Sequence, residues 1–334
     1  MAERNAGGRA RQVSSRDRRG GRGGDSRKTV LVALAANAVI AVTKLAGGLI
    51  SGSAALLAEA AHSLADTVNQ GFLLVSIALA DRPATEEQPF GHGRQRFLWA
   101  FVAAVSMFVA GAVFAVGYGI YELLAGEESG GGGYGIAWAA LAIAALTEGA
   151  SWVRALRQTR AEAREAGRPL LRHVRATRDP SVKMVLFEDT AALVGIAFAA
   201  AGIALGQLTG QRFWDPAASV AIGLMLIGVA TWMAHDTGEL LSGASARPDE
   251  RAEIERVLED HPAVVEVVEL LTMVLGPNAL LVAARLDLDD ELDGAAVERI
   301  ATELDHHVRE AVPDVTEVFL DATDAQAAAA AAAD

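Results

Sequence analysis

Apolar residues in this chain gather into long blocks instead of alternating with charged ones. The stretches Thr29–Ser51, Phe97–Leu124 and Val182–Leu208 each exceed the roughly 20 residues that cross a hydrocarbon core as helix. Extending the same reading predicts six membrane helices at 29–51, 53–80, 97–124, 134–153, 182–208 and 213–241. Short uncharged or acidic connections alternate with basic ones. Gly52 joins the first two helices, Glu127-Glu128-Ser129 and the glycines up to Gly133 join the third and fourth, and Thr209-Gly210 joins the last two. The other connections carry Arg82, Arg94 and Arg96, and then a run of arginines from Arg154 to Arg178. Positive charge accumulates on the cytoplasmic side of membrane proteins, so both termini are expected in the cytoplasm, and an even helix count agrees.

After residue 243 the pattern changes. Pro248–Asp260 reads as an amphipathic helix with Ile254, Val257 and Leu258 on one face. Val264–Val274 and Ala279–Leu288 read as strands around the turn Leu275-Gly276-Pro277-Asn278, followed by a helix over Asp293–Val312 and a strand over Thr316–Leu320. That order suits a small open α+β sandwich over 244–322. A domain of this size has a modest core, and pairing with a second copy would help it.

Composition adds three constraints. Hydrophobic residues make up 52% of the 334, well above a soluble domain once the 33 glycines are included. There is no cysteine, so any metal must be held by oxygen and imidazole. The net charge of −13 conceals a segregation: Lys and Arg outnumber Asp and Glu 9 to 3 in residues 1–28 and again in 154–183, but are outnumbered 22 to 6 in 245–334. Residues 1–28 read as a disordered basic cytoplasmic tail near lipid headgroups, with no nucleic-acid partner expected, and 323–334 as an alanine-rich tail. No nucleophile–base arrangement or phosphate-binding glycine loop suggests an enzyme.

An ionisable residue within a membrane helix is costly and marks function by default. The second helix carries Glu59, His62, Asp66 and Asn69 as a polar stripe, with His62 and Asp66 four residues apart on one face. Imidazole with carboxylate is a zinc ligand set; a hydrogen-bond network without metal is the alternative. The fifth helix holds Glu188-Asp189. Neighbours diverge by about 100° on a helix, so only one of the pair can face a given site squarely; Asp189 is the expected ligand, with Glu188 as a neighbouring ligand or supporting base. Lys44 on the first helix needs a partner, which Asp66 or the acidic pair could supply, unless it snorkels. Glu148 is placed either on the pathway or near an interface, and Asp215-Pro216 reads as the cap and first turn of the sixth helix. His92, in Pro89-Phe90-Gly91-His92-Gly93, is held accessible by its glycines.

His62-Ser63-Leu64-Ala65-Asp66, Phe90-Gly91-His92-Gly93 and the Asp215-Pro216 helix entry together resemble the cation diffusion facilitator family over residues 29–322. The runs Asp66-Thr67-Val68-Asn69-Gln70 and Phe187-Glu188-Asp189-Thr190-Ala191-Ala192 look similar to its zinc transporter 9-like branch. The resemblance implies an α-helical membrane protein of six transmembrane helices over 29–243 with a ferredoxin-like, metallochaperone-like cytoplasmic domain. It implies a homodimer that exports Zn2+ as transported substrate by alternating access, with protons as counter-ion. Its tetrahedral membrane site maps onto His62, Asp66 and Asp189, while the position of the usual fourth ligand is Val185. Glu188 or water would take that place, and a preference for Mn2+, Fe2+, Co2+ or Ni2+ is the alternative substrate reading. The family's loop site maps onto His92, although Thr85 and Gln88 stand where its companions would be. In the cytoplasmic domain Arg285 and Phe319 replace metal-binding histidines and only Asp321 is retained, so dimerisation without a binuclear metal site is expected. A membrane metal sensor that does not transport is the rival of a different class.

Overall fold

A computed structural model describes residues 34–35, 37–80, 82–125 and 133–324. The expected basic tail, the alanine-rich tail after residue 324, most of the connection after the third helix and the start of the first helix lie outside the described residues. The described chain divides into two compact units. One comprises the described residues up to Val75, with Val102–Gln158 and Met184–Met233; the other comprises Ser76–Phe101, Thr159–Lys183 and the chain from Ala234.

The apolar blocks form helices because nothing within them interrupts the hydrogen-bond ladder, and lipid offers no alternative partner for the backbone. In chain order these are α1 (Asn37–Ser51), α2 (Ala54–Ala80), α3 (Gln95–Ala125), α4 (Tyr134–Glu165), the short α5 (Leu170–Ala176), α6 (Pro180–Thr209) and α7 (Trp214–Ser242). Five of them, α2, α3, α4, α6 and α7, are long and apolar enough to cross a membrane; α1 is apolar but its described part is shorter. Large side chains such as Leu146 and Leu208 remain 74% and 82% exposed, as a lipid-facing surface requires. Small residues let the helices approach closely. A Cβ built on Gly223 would come within 2.5 Å of Val116 Cγ2, and one on Gly119 within 2.8 Å of Val220 Cγ2. At Gly52 the φ angle is +69°, a turn that only glycine takes without strain, and it reverses the chain between α1 and α2. Helix α3 contains a π turn over Met107–Ala112, with Met107, Gly111 and Ala112 buried.

Helix α4 corrects the expected end at residue 153. It runs on to Glu165, because the Arg- and Ala-rich stretch beyond the apolar block favours helix and meets no breaker before Gly167, at φ +62°, and Pro169. The arginine segment that followed also contains α5, which hydrophobic patterning over seven residues was too short to disclose.

In the second unit the expected order holds: α8 (Pro248–Glu259), β1 (Val264–Gly276), β2 (Ala279–Leu288), α9 (Gly294–Ala311) and β3 (Val315–Ala322). β1 pairs antiparallel with β2, and β3 pairs parallel with β2, so α9 is the crossover between parallel neighbours. Leu280, Val282, Ala284 and Leu286 bury alternate positions of β2 against Ile254 and Leu258 of α8 and the stripe Ile300, Leu304, Val308 of α9. Asp293 caps α9 by accepting from Ala296 N at 2.7 Å, which is why the helix begins one residue later than expected. Phe97, at the start of α3, is fully buried in the same core.

Candidate metal site

The polar stripe of α2 faces inward along its whole length. Glu59, His62 and Asn69 are fully buried, and Ser63 and Asp66 are 2% and 7% exposed. His62 Nε2 and Asp66 Oδ2 lie 3.6 Å apart, as the four-residue spacing on one helix face dictates. Neither imidazole nitrogen has a hydrogen-bond partner, and Asp66 Oδ1 has none, among the described residues. Each such buried orphan costs about 1–3 kcal/mol if nothing compensates it.

Helix α6 presents both members of its acidic pair to this unit, but to different neighbours. Glu188 Oε1 accepts from Asn69 Nδ2 at 2.7 Å and is buried; Asp189 Oδ2 accepts from Ser151 Oγ on α4 at 2.9 Å. Trp152 Nε1 donates to Thr190 Oγ1 at 3.0 Å beside it, fixing the α4–α6 register. Among the described residues no three His, Asp or Glu side chains converge at metal-holding distance, so His62, Asp66, Asp189 and Glu188 are not drawn into one cluster here. Each α6 carboxyl group instead accepts from a neutral donor on a facing helix.

Lys44 is fully buried, and its partners correct the sequence expectation. Its Nζ donates to Ser63 Oγ at 2.7 Å, Glu59 Oε2 at 3.0 Å and Glu148 Oε1 at 3.4 Å, not to Asp66 or the α6 pair. The reason is hairpin geometry: Lys44 lies eight residues before Gly52 and Glu59 seven after it, so the antiparallel helices bring them face to face. Glu148 thereby belongs to the interior of the unit, at 6% exposure. Glu59 Oε1 turns towards α6, where a Cβ on Gly195 would lie 1.9 Å from it.

Asp215 also differs from expectation. Its carboxylate serves α2 and not its own helix: it accepts from Ser53 Oγ and Ala54 N, both at 2.6 Å, and from Ala55 N at 3.5 Å. These amides are among the four at a helix start that have no partner within the helix. A carboxylate there also meets the positive end of the helix dipole.

His92 lies in the other unit and is partly buried; its Nδ1 has no hydrogen-bond partner among the described residues. Gly93 has a packing role that the sequence did not disclose, since a Cβ there would fall 2.7 Å from Leu275 O. Thr85 and Gln88 exchange backbone hydrogen bonds at 3.1 and 3.2 Å, closing the loop that precedes the histidine. In the C-terminal sheet, Arg285 pairs with Glu269 at 2.9 Å and with Asp321 at 3.7 Å, while Phe319 meets Phe90 edge to face at 6.4 Å. His261 approaches Glu303 at 3.6 Å and His306 approaches Glu310 at 3.3 Å, each a separate pair. Ser63, Ser151 and Gly195 are the site residues that sequence reading missed. Only Ser63 carried a signal, being four residues after Glu59 on the same face.

Residues 30–242 match the cation efflux transmembrane domain, and residues 246–321 match the cytoplasmic domain of cation efflux proteins. A Xenopus laevis protein named proton-coupled zinc antiporter SLC30A9, mitochondrial, is 32% identical over 266 residues, covering 78% of this chain and 46% of its own length. Metal tolerance protein C4 of Arabidopsis thaliana is 26% identical over 267 residues, 80% of this chain and 58% of that protein. The cation-efflux pump FieF of Serratia proteamaculans is 29% identical over 270 residues, 80% of this chain and 82% of that protein. The chain thus spans about half the length of the SLC30A9 protein it matches.

Proposed function

The chain belongs to the cation efflux family, and we propose that it carries divalent transition-metal ions, zinc first, across a membrane in exchange for protons. The carrying observation is the set of orphaned donors on α2: both nitrogens of the fully buried His62, and Asp66 Oδ1 one turn away. Imidazole and carboxylate are the donors zinc takes in the absence of thiolate. Asp189 and Glu188 on α6 complete the ligand set, each now resting on a neutral hydrogen-bond donor that it can exchange for the ion. Glu188 stands in for the ligand absent at Val185, and its bond to Asn69 of the α2 stripe supports that substitution. An all-oxygen α6 contribution also suits Mn2+, Fe2+ or Co2+, which compete as alternative substrates.

Ligands must be deprotonated to bind metal, so ion binding releases protons and rising proton concentration releases the ion. Imidazole, with an ordinary pKa of about 6.5, is the natural carrier for that exchange. Alternating access then requires the α2 and α6 donors to approach one another when the ion is bound and to separate on release. We place both termini in the cytoplasm, following the basic connections, and expect a homodimer assembled through the second unit. We also propose His92 as a metal ligand of the loop before α3.

The test is uptake of zinc, manganese, iron and cobalt into proteoliposomes by the wild type, Asp66→Ala and Asp189→Ala. Zinc flux lost in both variants supports the reading. Flux of manganese or iron alone changes the substrate. Wild-type protein that binds metal but moves none favours a sensor.

A further inference from the structure

Along α2 the same four-residue spacing occurs twice, offset by three residues: Glu59 with Ser63, and His62 with Asp66. The two pairs differ in their surroundings. At the first, Lys44 Nζ is held by Ser63 Oγ at 2.7 Å, Glu59 Oε2 at 3.0 Å and Glu148 Oε1 at 3.4 Å. At the second, no Lys or Arg side chain forms a hydrogen bond among the described residues, and three donor atoms are orphaned.

An ammonium has three N–H donors and no acceptor. Here all three are directed at oxygens from two helices, two of them carboxylate, at a place where lysine and both partner side chains are at most 8% exposed. The oxygens therefore surround a cation much as they would surround a hard metal ion, and Glu59 Oε1 remains an unused buried acceptor on the same carboxylate. The absence of a side chain at Gly195 leaves the space into which that oxygen projects. A buried carboxylate pair without a counter-charge is strongly unfavourable. Such a pair either takes up a proton or holds a cation between its members, and here the chain supplies the cation itself.

We propose that Glu59, Ser63 and Glu148 form a second divalent-cation position in which Lys44 Nζ is a tethered occupant, confining the transported ion to the site built on the His62–Asp66 pair. The inference rests on the metal-carrying reading above. Lys44 acts as a specificity-determining residue: its ammonium blocks a carboxylate site that would otherwise compete with the cargo site one turn away. Glu59 and Glu148, although acidic and buried in a metal carrier, are not cargo ligands.

The test is equilibrium dialysis of the full-length, detergent-solubilised protein against zinc, then against manganese, counting ions per protomer. Lys44→Met is expected to bind one ion more than wild type, and Lys44→Met/Glu59→Gln/Glu148→Gln to return to the wild-type count. A folded Lys44→Met with an unchanged count overturns the proposal. A second arm does not depend on that variant folding: Glu59→Gln alone should keep the wild-type count with affinity changed by less than about threefold. A tenfold loss would make Glu59 a cargo ligand and overturn the proposal. The broader reading fails separately: His62→Ala/Asp66→Ala would then bind as many ions as wild type.

Discussion

Gly195→Ala tests the packing that holds the polar interior together. The added Cβ would lie 1.9 Å from Glu59 Oε1 and 3.0 Å from Glu59 Cδ. Carbon and oxygen come no closer than about 3.3 Å even in attractive contacts, so the carboxylate must retreat by roughly 1.4 Å. Glu59 is fully buried and its other oxygen is 3.0 Å from Lys44 Nζ, so the retreat strains or breaks that bond. Overpacking costs about 1–3 kcal/mol, and weakening a hydrogen bond between charged groups about 1.5–3 kcal/mol. The expected loss is therefore about 3–5 kcal/mol. At roughly 2–4 °C per kcal/mol for a unit of this size, the melting temperature should fall by about 10 °C. Tryptophan fluorescence during heating in detergent reads this, since the chain has 5 tryptophans. Glu59→Asp draws the carboxylate back by one methylene, and Gly195→Ala/Glu59→Asp should be more stable than Gly195→Ala alone. A Gly195→Ala protein as stable as wild type, or a double variant without rescue, would refute the reasoning.

Asp215→Ala removes the charged acceptor from the start of α2 and leaves the Ala54 amide unpaired where Ala54 is fully buried. A loss of about 2–4 kcal/mol is expected, with faster hydrogen exchange at Ala54 and Ala55 than at Ile222. Glu188→Gln keeps the shape of the side chain but not its charge, so zinc affinity should fall at least tenfold while the melting temperature changes little; unchanged affinity would remove Glu188 from the ligand set. Leu304→Ala opens a cavity in the α9 stripe, where Leu304 is 1% exposed. It should destabilise the second unit by about 3–4 kcal/mol, measured as an earlier unfolding transition in calorimetry.

What the sequence disclosed follows from the range over which each signal acts. The His62–Asp66 pair was legible because four-residue spacing on a helix fixes a shared face, and the C-terminal order was legible because β2 alternates and α9 repeats every three to four residues. The need of Lys44 for a partner was also evident, but the partner was not. Spacing within one helix does not reveal which turn of the next helix lies opposite; counting outward from Gly52 would have pointed to Glu59. Gly195 was invisible for a plainer reason. A glycine in an apolar helix carries no mark of the side chain it accommodates, and Glu59 lies far away in sequence. Asp215 followed the pattern of a local cap, and the competing use, capping the amides of α2, depends on tertiary placement. The extension of α4 was missed because hydropathy ends where the lipid does, whereas helix propensity continues through Arg and Ala to Gly167.

The central claim is that zinc exchanges for protons through the α2 and α6 donors. Its most direct test records both fluxes at once in proteoliposomes, with a zinc dye inside and a pH dye on each side. Wild-type protein should take up zinc faster under an opposing proton gradient, acidify the zinc-containing side, and lose both signals together in His62→Ala and Asp66→Ala. Zinc entry that is indifferent to the gradient, or that persists at the wild-type rate in both variants, would contradict the account.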